Sequence, residues 1–259
     1  RKNLYNGHMT KLKVLVACEY SGVVREAFKK KGHESWSCDI LETDVPGNHI
    51  VGNVLDHLNK NWDMLIAHPP CTYLSNAGAR HLFPKGKLNE ERYNLGLKAK
   101  EFFMELYNAP IPRICIENPI QSKIFDLPKH TQTIHPYHFG HPYSKATRLW
   151  LKNLPHLFSN TNLTNNMDFF STKEVLDYKP LLPSNTGGKK RGQKYHYTNI
   201  SAHDASKTFE GIAAAMADQW TIQSTKVPGN WFNKGGKDRQ KNRSKFFPNM
   251  AKAMADQWG

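Results

Sequence analysis

Apolar residues along this chain fall into short blocks divided by polar turns, and the blocks switch between two periods. Lys13-Val14-Leu15-Val16-Ala17-Cys18 is a continuous run of buried-strand length, and Glu19-Tyr20-Ser21-Gly22 is a tight turn into a helix from Val23 to Lys31 that stops at Gly32. A second strand, Glu34 to Cys38, closes on Asp39, and a third is predicted over His49–Asp56. The run from Met64 to Ala67 reads as a buried strand that ends at Pro69 and Pro70, which can neither donate to a sheet ladder nor continue a helix. Between Asn89 and Asn108 the positions Tyr93, Leu97, Phe102, Phe103 and Leu106 recur at helical spacing, until Ala109-Pro110-Ile111-Pro112 breaks the pattern. Arg113 to Ile116 is a further strand running into Glu117-Asn118-Pro119, and Ala146 to Leu151 is a late one. Strands alternating with helices predict an α/β fold, with a mainly parallel sheet covered on both faces.

In such a sheet, ligands and chemistry collect at the carboxyl ends of the strands. Two of these ends carry polar residues fixed by proline: Cys71 directly after Pro69-Pro70, and Glu117-Asn118 directly before Pro119. Asp39 stands about 20 residues beyond the first turn, the spacing at which nucleotide-binding α/β folds place an acid on a ribose, although the G-x-G-x-x-G fingerprint is absent. The polar stretch after Cys71, with Gly78 and Gly86, is long enough to form a flap over a site. His135-Pro136-Tyr137-His138-Phe139-Gly140-His141-Pro142 reads as a loop.

The remaining organisation comes from composition. Residues 1–8 read as a tag remnant before Met9, and 9–153 as the core. Residues 154–204 are a small basic insertion rich in Asn, Thr, Pro, Gly and Lys, where Tyr195 and Tyr197 stand among lysines. A duplicated helical segment fills 205–259: Ser206 to Trp220 is matched by Ser244 to Trp258. The formal net charge is +14, and residues 180–259 hold 13 Lys and Arg against 5 Asp and Glu, so a polyanionic partner is expected. Four cysteines without a C-x-x-C pair argue against a zinc ribbon or disulfide framework, and the scattered histidines form no metal motif. With no bilayer-length apolar run and no signal sequence, a cytoplasmic location is expected, in a bacterial host if the chain is phage-encoded.

Taken together, a strand ending in Pro-Pro-Cys, a later strand ending in Glu-Asn-Pro, and a Phe-Gly-His-Pro loop leading to Lys145 and Arg148 resemble the DNA cytosine-5 methyltransferases, most of all their short phage or prophage members. The likeness covers residues 11–155 and 204–220, where Gly-Ile-Ala-x-Ala-Met-Ala-x-Gln-Trp is similar to the terminal helix of those proteins. The resemblance implies a Rossmann-like fold that uses S-adenosylmethionine on double-stranded DNA. Cys71 would add to C6 of cytosine, Glu117 would hold the N3 and amino edge of the base, and Arg148, with Lys145, would steady the loop and favour the thiolate. Glu117 would need to be protonated or to share a proton with the base, which burial favours. Glu19, Tyr20, Ser21 and Gly22 would border the methionine part of the cofactor, Asp39 the ribose and Asn53 the adenine, with Pro69 alongside. The chain departs from the family at Cys-Glu-Tyr-Ser-Gly, where Phe-x-Gly-x-Gly is usual, at Pro-Cys-Thr, and at Lys145-Ala-Thr-Arg148. Competing readings are a nucleic-acid-binding protein that keeps the fold without catalysis, and a methyltransferase acting on free nucleotide, RNA or a base amino group. The last needs an acceptor before the prolines, where this chain has His68.

Overall fold

The computed structural model describes residues 11–79, 81–141, 145–159 and 207–221. The assigned tag remnant, most of the 154–204 insertion and the second copy of the repeat lie outside the described residues.

Seven strands form one sheet in the order β3-β2-β1-β4-β5-β7-β6. They are β1 (Lys13–Ala17), β2 (Glu34–Asp39), β3 (His49–Val51), β4 (Met64–Ala67), β5 (Arg113–Pro119), β6 (Gln132–Ile134) and β7 (Thr147–Lys152). The first five run parallel, with Ala17 beside both Cys38 and Ala67, and Ala67 beside Ile116. β7 then pairs antiparallel with both β5 and β6. The expected parallel sheet therefore ends in an antiparallel edge. The described residues make a mixed α/β unit with a mostly parallel sheet, compatible with a Rossmann-like methyltransferase fold.

Period-two alternation sends the strand side chains into two cores. Val14, Val16, Met64, Ile66, Cys115 and Leu149 face helices α1 (Val23–Lys30) and α4 (Glu210–Trp220). Leu15, Ala17, Leu65, Ile114, Ile116 and Trp150 face α3 (Glu90–Tyr107), whose N-cap Asn89 accepts from Arg92 N at 2.9 Å. Among the described residues between β4 and α3 are the single turn α2 (Asn76–Ala79) and a 3-10 turn at Pro84–Gly86. The predicted third strand is shorter than expected: it stops at Val51, and Asn53 caps a 3-10 turn at Val54–His57.

β1 lies between β2 and β4, so the chain leaves it in opposite directions on its two sides. This is the topological switch point at which α/β sheets open a crevice.

Arg25 holds one wall of that crevice. Although charged, it is fully buried on α1, and its guanidinium donates to Ser37 Oγ at 2.9 Å, Thr43 Oγ1 at 3.2 Å and Val45 O at 2.6 Å. Gly22, at φ +72°, and Gly47 leave room for it: a Cβ would sit 2.6 Å and 2.9 Å, respectively, from guanidinium atoms. Arg25→Met is expected to cost about 3 kcal/mol, since four acceptors, Glu26 Oε1 at 3.0 Å among them, lose a charged donor at once. A urea midpoint and slope on the full chain check this, and a loss within 0.5 kcal/mol, about the scatter of a surface substitution, would contradict it.

Candidate active site

Pro69 and Pro70 stop β4, and the chain turns at once: Leu74 N and Ser75 N donate back to Cys71 O at 3.2 and 2.9 Å. Two further contacts fix this turn. Arg92 from α3 donates to Thr72 O at 3.0 Å and lies over the Tyr73 ring at 5.0 Å, and Asn118 Nδ2 donates to Pro69 O at 3.1 Å. Cys71 is thus half-buried on a loop held from both α3 and β5.

Glu117 lies on β5, on the α1/α4 side of the sheet with Cys115. His68, the last residue before the prolines, places Nδ1 2.9 Å from Glu117 Oε2. Thr208, just ahead of α4, brings Oγ1 to 3.5 Å from the same nitrogen. Burial pushes the Glu117 carboxyl up, as expected, but the His68 hydrogen bond and charge and the Lys145 charge outweigh it, leaving the carboxyl below its ordinary range. Burial favours the protonated form, as expected, but does not decide the resting state alone.

The Cys71 thiol is raised, first by burial and then by the negative charge of Glu117, while Lys145 opposes both. Lys145 therefore acts on Cys71 and Glu117 together. Arg148 is placed elsewhere: it stands opposite Asn118 in the β5–β7 ladder, whereas Glu117 stands opposite Leu149. Its guanidinium donates to Gln121 Oε1. Strand alternation puts Arg148 and Glu117 on opposite faces, so the expected partnership of Arg148 with the nucleophile is not what the geometry gives. The other thiols are poorer nucleophiles. Burial raises Cys18 to about 12 and Cys38 to about 11, each with help from Asp39, and Cys115 is fully buried and raised well above the ordinary thiol range.

Glu117→Gln is expected to speed alkylation of Cys71. The substitution removes a negative charge that disfavours the thiolate, so the pH at which the thiol ionises moves down and a larger thiolate fraction exists at each pH below it. Lys145→Met moves it the opposite way. Iodoacetamide rates against pH, read by mass on the Cys71 peptide, check both signs.

The cofactor candidates line the crevice from the other side. Glu19 is buried, and its two oxygens accept from the first amides of α1, Val24 N at 2.6 Å and Arg25 N at 3.2 Å. Burial pushes its carboxyl up against the pull of His68 and of those amides. Ser21 is buried beside it, Asp44 N donates to Tyr20 O at 2.9 Å, and Gly22 makes the left-handed entry to α1. Asp39 ends β2 and accepts from Leu41 N through Oδ1 at 3.0 Å. Asn53 uses Oδ1 to accept from Leu55 N at 3.1 Å, and Pro69 is buried between the two halves. Among the described residues no cluster of His, Cys, Asp and Glu is placed to hold a metal ion, and no helix is long and apolar enough to cross a membrane.

Sequence reasoning passed over three of these residues. His68 carried a signal, as a polar side chain ending an apolar strand. Thr208 and Arg25 carried none, because their partners lie far away along the chain.

No protein-family model matches the chain, and no curated protein matches it. Among solved structures it is similar to a candidate DNA modification methyltransferase encoded within a prophage (E. coli), with 12% identity and a TM-score of 0.34, over 54% of this chain and 46% of that one.

Proposed function

We propose that this protein is a DNA cytosine-5 methyltransferase that takes its methyl group from S-adenosylmethionine. The observation that carries the reading is the meeting of Cys71, Glu117 and Lys145 at the carboxyl ends of β4 and β5, beside the switch point of the sheet. A thiol next to a carboxyl that can engage N3 and the exocyclic amine suits attack on an amino-pyrimidine. Cys71 Sγ bonds to C6 as its proton passes by way of Glu117 to N3, and the C5=C6 electron pair moves through C4 to N3. C5 is then nucleophilic. While Glu117 carries the proton in transit to N3 it is neutral and its charge no longer holds the thiol up, so protonation of Glu117 favours the thiolate.

The residues present fit this cofactor better than a dinucleotide. The start of α1, where a pyrophosphate would sit, is already filled by the Glu19 carboxylate, which repels phosphate and suits a cationic amine. Asp39 Oδ2 is left for a ribose hydroxyl and Asn53 Nδ2 for a ring nitrogen of adenine, since each side chain uses only its Oδ1 in the fold. When bound, the cofactor supplies an electrophilic methyl on a sulfonium. Tyr20, Ser21, Gly22 and Pro69 shape the wall against it.

Two features support DNA as the acceptor. One is the net charge of +14, and the other is the exposed Phe83, Lys85 and Lys87 on the loop that follows Cys71. The target base must leave the duplex, at about a few kcal/mol, before Cys71 can reach C6. Transfer of labelled methyl from S-adenosylmethionine to unmethylated duplex, with the bases hydrolysed and analysed by mass, tests the reading. Label on cytosine C5 is expected. Label on the amino nitrogen, on RNA only, or on no base would overturn it.

A further inference from the structure

We propose that His68 is a positioning residue for Glu117: its Nδ1–H holds Oε2, fixing the carboxyl plane so that Oε1 meets the N3 and amino edge of the target base. This rests on the reading of Glu117 as the group that pairs with the base.

A carboxylate only accepts, so the 2.9 Å contact assigns a proton to Nδ1. The ring is tied at several points. Its own backbone N donates to Ala17 O at 3.0 Å, which fixes the end of β4 against the end of β1. Thr208 Oγ1 lies 3.5 Å from Nδ1, and the ring is almost fully buried, with Nε2 lacking a hydrogen-bond partner among the described residues. Two rigid strand ends and the segment entering α4 therefore hold one imidazole against one oxygen of Glu117. That leaves a single oxygen to contact a ligand.

The arrangement also bears on the chemical step. As Sγ bonds to C6, the proton that Glu117 Oε1 has taken from the thiol passes on to N3 and Glu117 returns to the carboxylate, the form to which the His68 N–H bonds most strongly. The bond tightens as the adduct forms, so its contribution is larger in the transition state than before it. The same bond depresses Glu117 in the resting protein. The charged or titratable groups that face the Glu117 carboxyl are His68 from the end of β4, Lys145 ahead of β7, Cys71 on the loop and Cys115 on β5 itself; Glu19 acts on His68 from the β1–α1 turn. Of these, His68 holds it by a hydrogen bond of 2.9 Å.

The test uses the full chain with His68→Leu and His68→Gln, the second keeping a neutral N–H donor. Two readouts are compared: the 13C titration of the Glu117 carboxyl without substrate, and kcat and KM for methyl transfer against pH. In His68→Leu the Glu117 midpoint should rise, the acid limb of kcat/KM, which the lower of the two groups sets, should move to higher pH, and kcat should fall about a hundredfold with KM changing far less. His68→Gln should recover part of the loss in kcat. If His68→Leu folds, as its thermal transition would show, and leaves both the Glu117 midpoint and the limb in place, His68 is only a packing residue and the inference fails. A shifted midpoint in a protein whose wild type never labels cytosine C5 would overturn the proposed reaction instead, and the base-facing role of Oε1 with it.

Discussion

Cys71→Ser is expected to reduce methyl transfer by about a thousandfold or more while leaving duplex binding intact. A serine hydroxyl is far less acidic and less nucleophilic than a thiol. Among the described residues the groups that act on the Cys71 side chain are Glu117, Lys145 and the backbone amide of Cys71 itself, with no histidine among them. The fold should not suffer, because the residue is half-buried and its main-chain oxygen, rather than its sulfur, carries the turn. Retained transfer in Cys71→Ser would remove the covalent step. If the wild type and the variant bind duplex equally and neither transfers methyl, the chain is a binder that keeps the fold.

A second large effect is expected from a single methyl group. Gly78 packs against the nucleophile loop so closely that a Cβ would lie 2.3 Å from Thr72 O and 2.9 Å from Arg92 Nη2. The first contact is backbone and cannot swing away. Gly78→Ala must therefore push Thr72, and Cys71 beside it, off its seat, or else break the Arg92 bond to Thr72 O. A displacement of about 1 Å at a nucleophile is enough to cost about a hundredfold in rate. The loss should fall on kcat, with the urea midpoint changed far less than by Arg25→Met, because the strain is local to an edge loop. An unaltered kcat would show that Cys71 is not positioned by this contact.

Much of the parallel half of the sheet could be read from the chain. Buried runs such as Val14 to Ala17 and Met64 to Ala67 have no other soluble use, and the prolines mark where the strand of Cys71 ends. The antiparallel edge was not legible. β6 is only three residues, Gln132–Ile134, too short to show a period, and it gains its place from β7 rather than from its own pattern. The same limit explains Arg148. Its distance from Cys71 along the chain says nothing about sheet face, and face depends on register: one residue of slip would have set Arg148 opposite Glu117 instead of Asn118. Lys145, which lies before the strand and so escapes its alternation, is the cation that acts on the site. The group that opposes burial at Glu117 was hidden for a related reason. Burial was inferable, but the partner that outweighs it, His68, sits 49 residues away on a different strand end.

The dock of α4 has a consequence for the folding of a chain that carries its terminal segment twice. Gly211 sits where a Cβ would be 2.0 Å from Phe139 O and 2.9 Å from His141 Nε2, and its amide donates to that same nitrogen at 2.9 Å. The copy that ends at Trp258 has Asn249 at the matching position, Phe246 where Thr208 stands and Pro248 in place of Glu210. The two copies therefore differ at the position where the dock of α4 leaves no room for a side chain. Gly211 is what lets the helix come this close to the Phe139 carbonyl, so Gly211→Asn is expected to loosen the dock of α4.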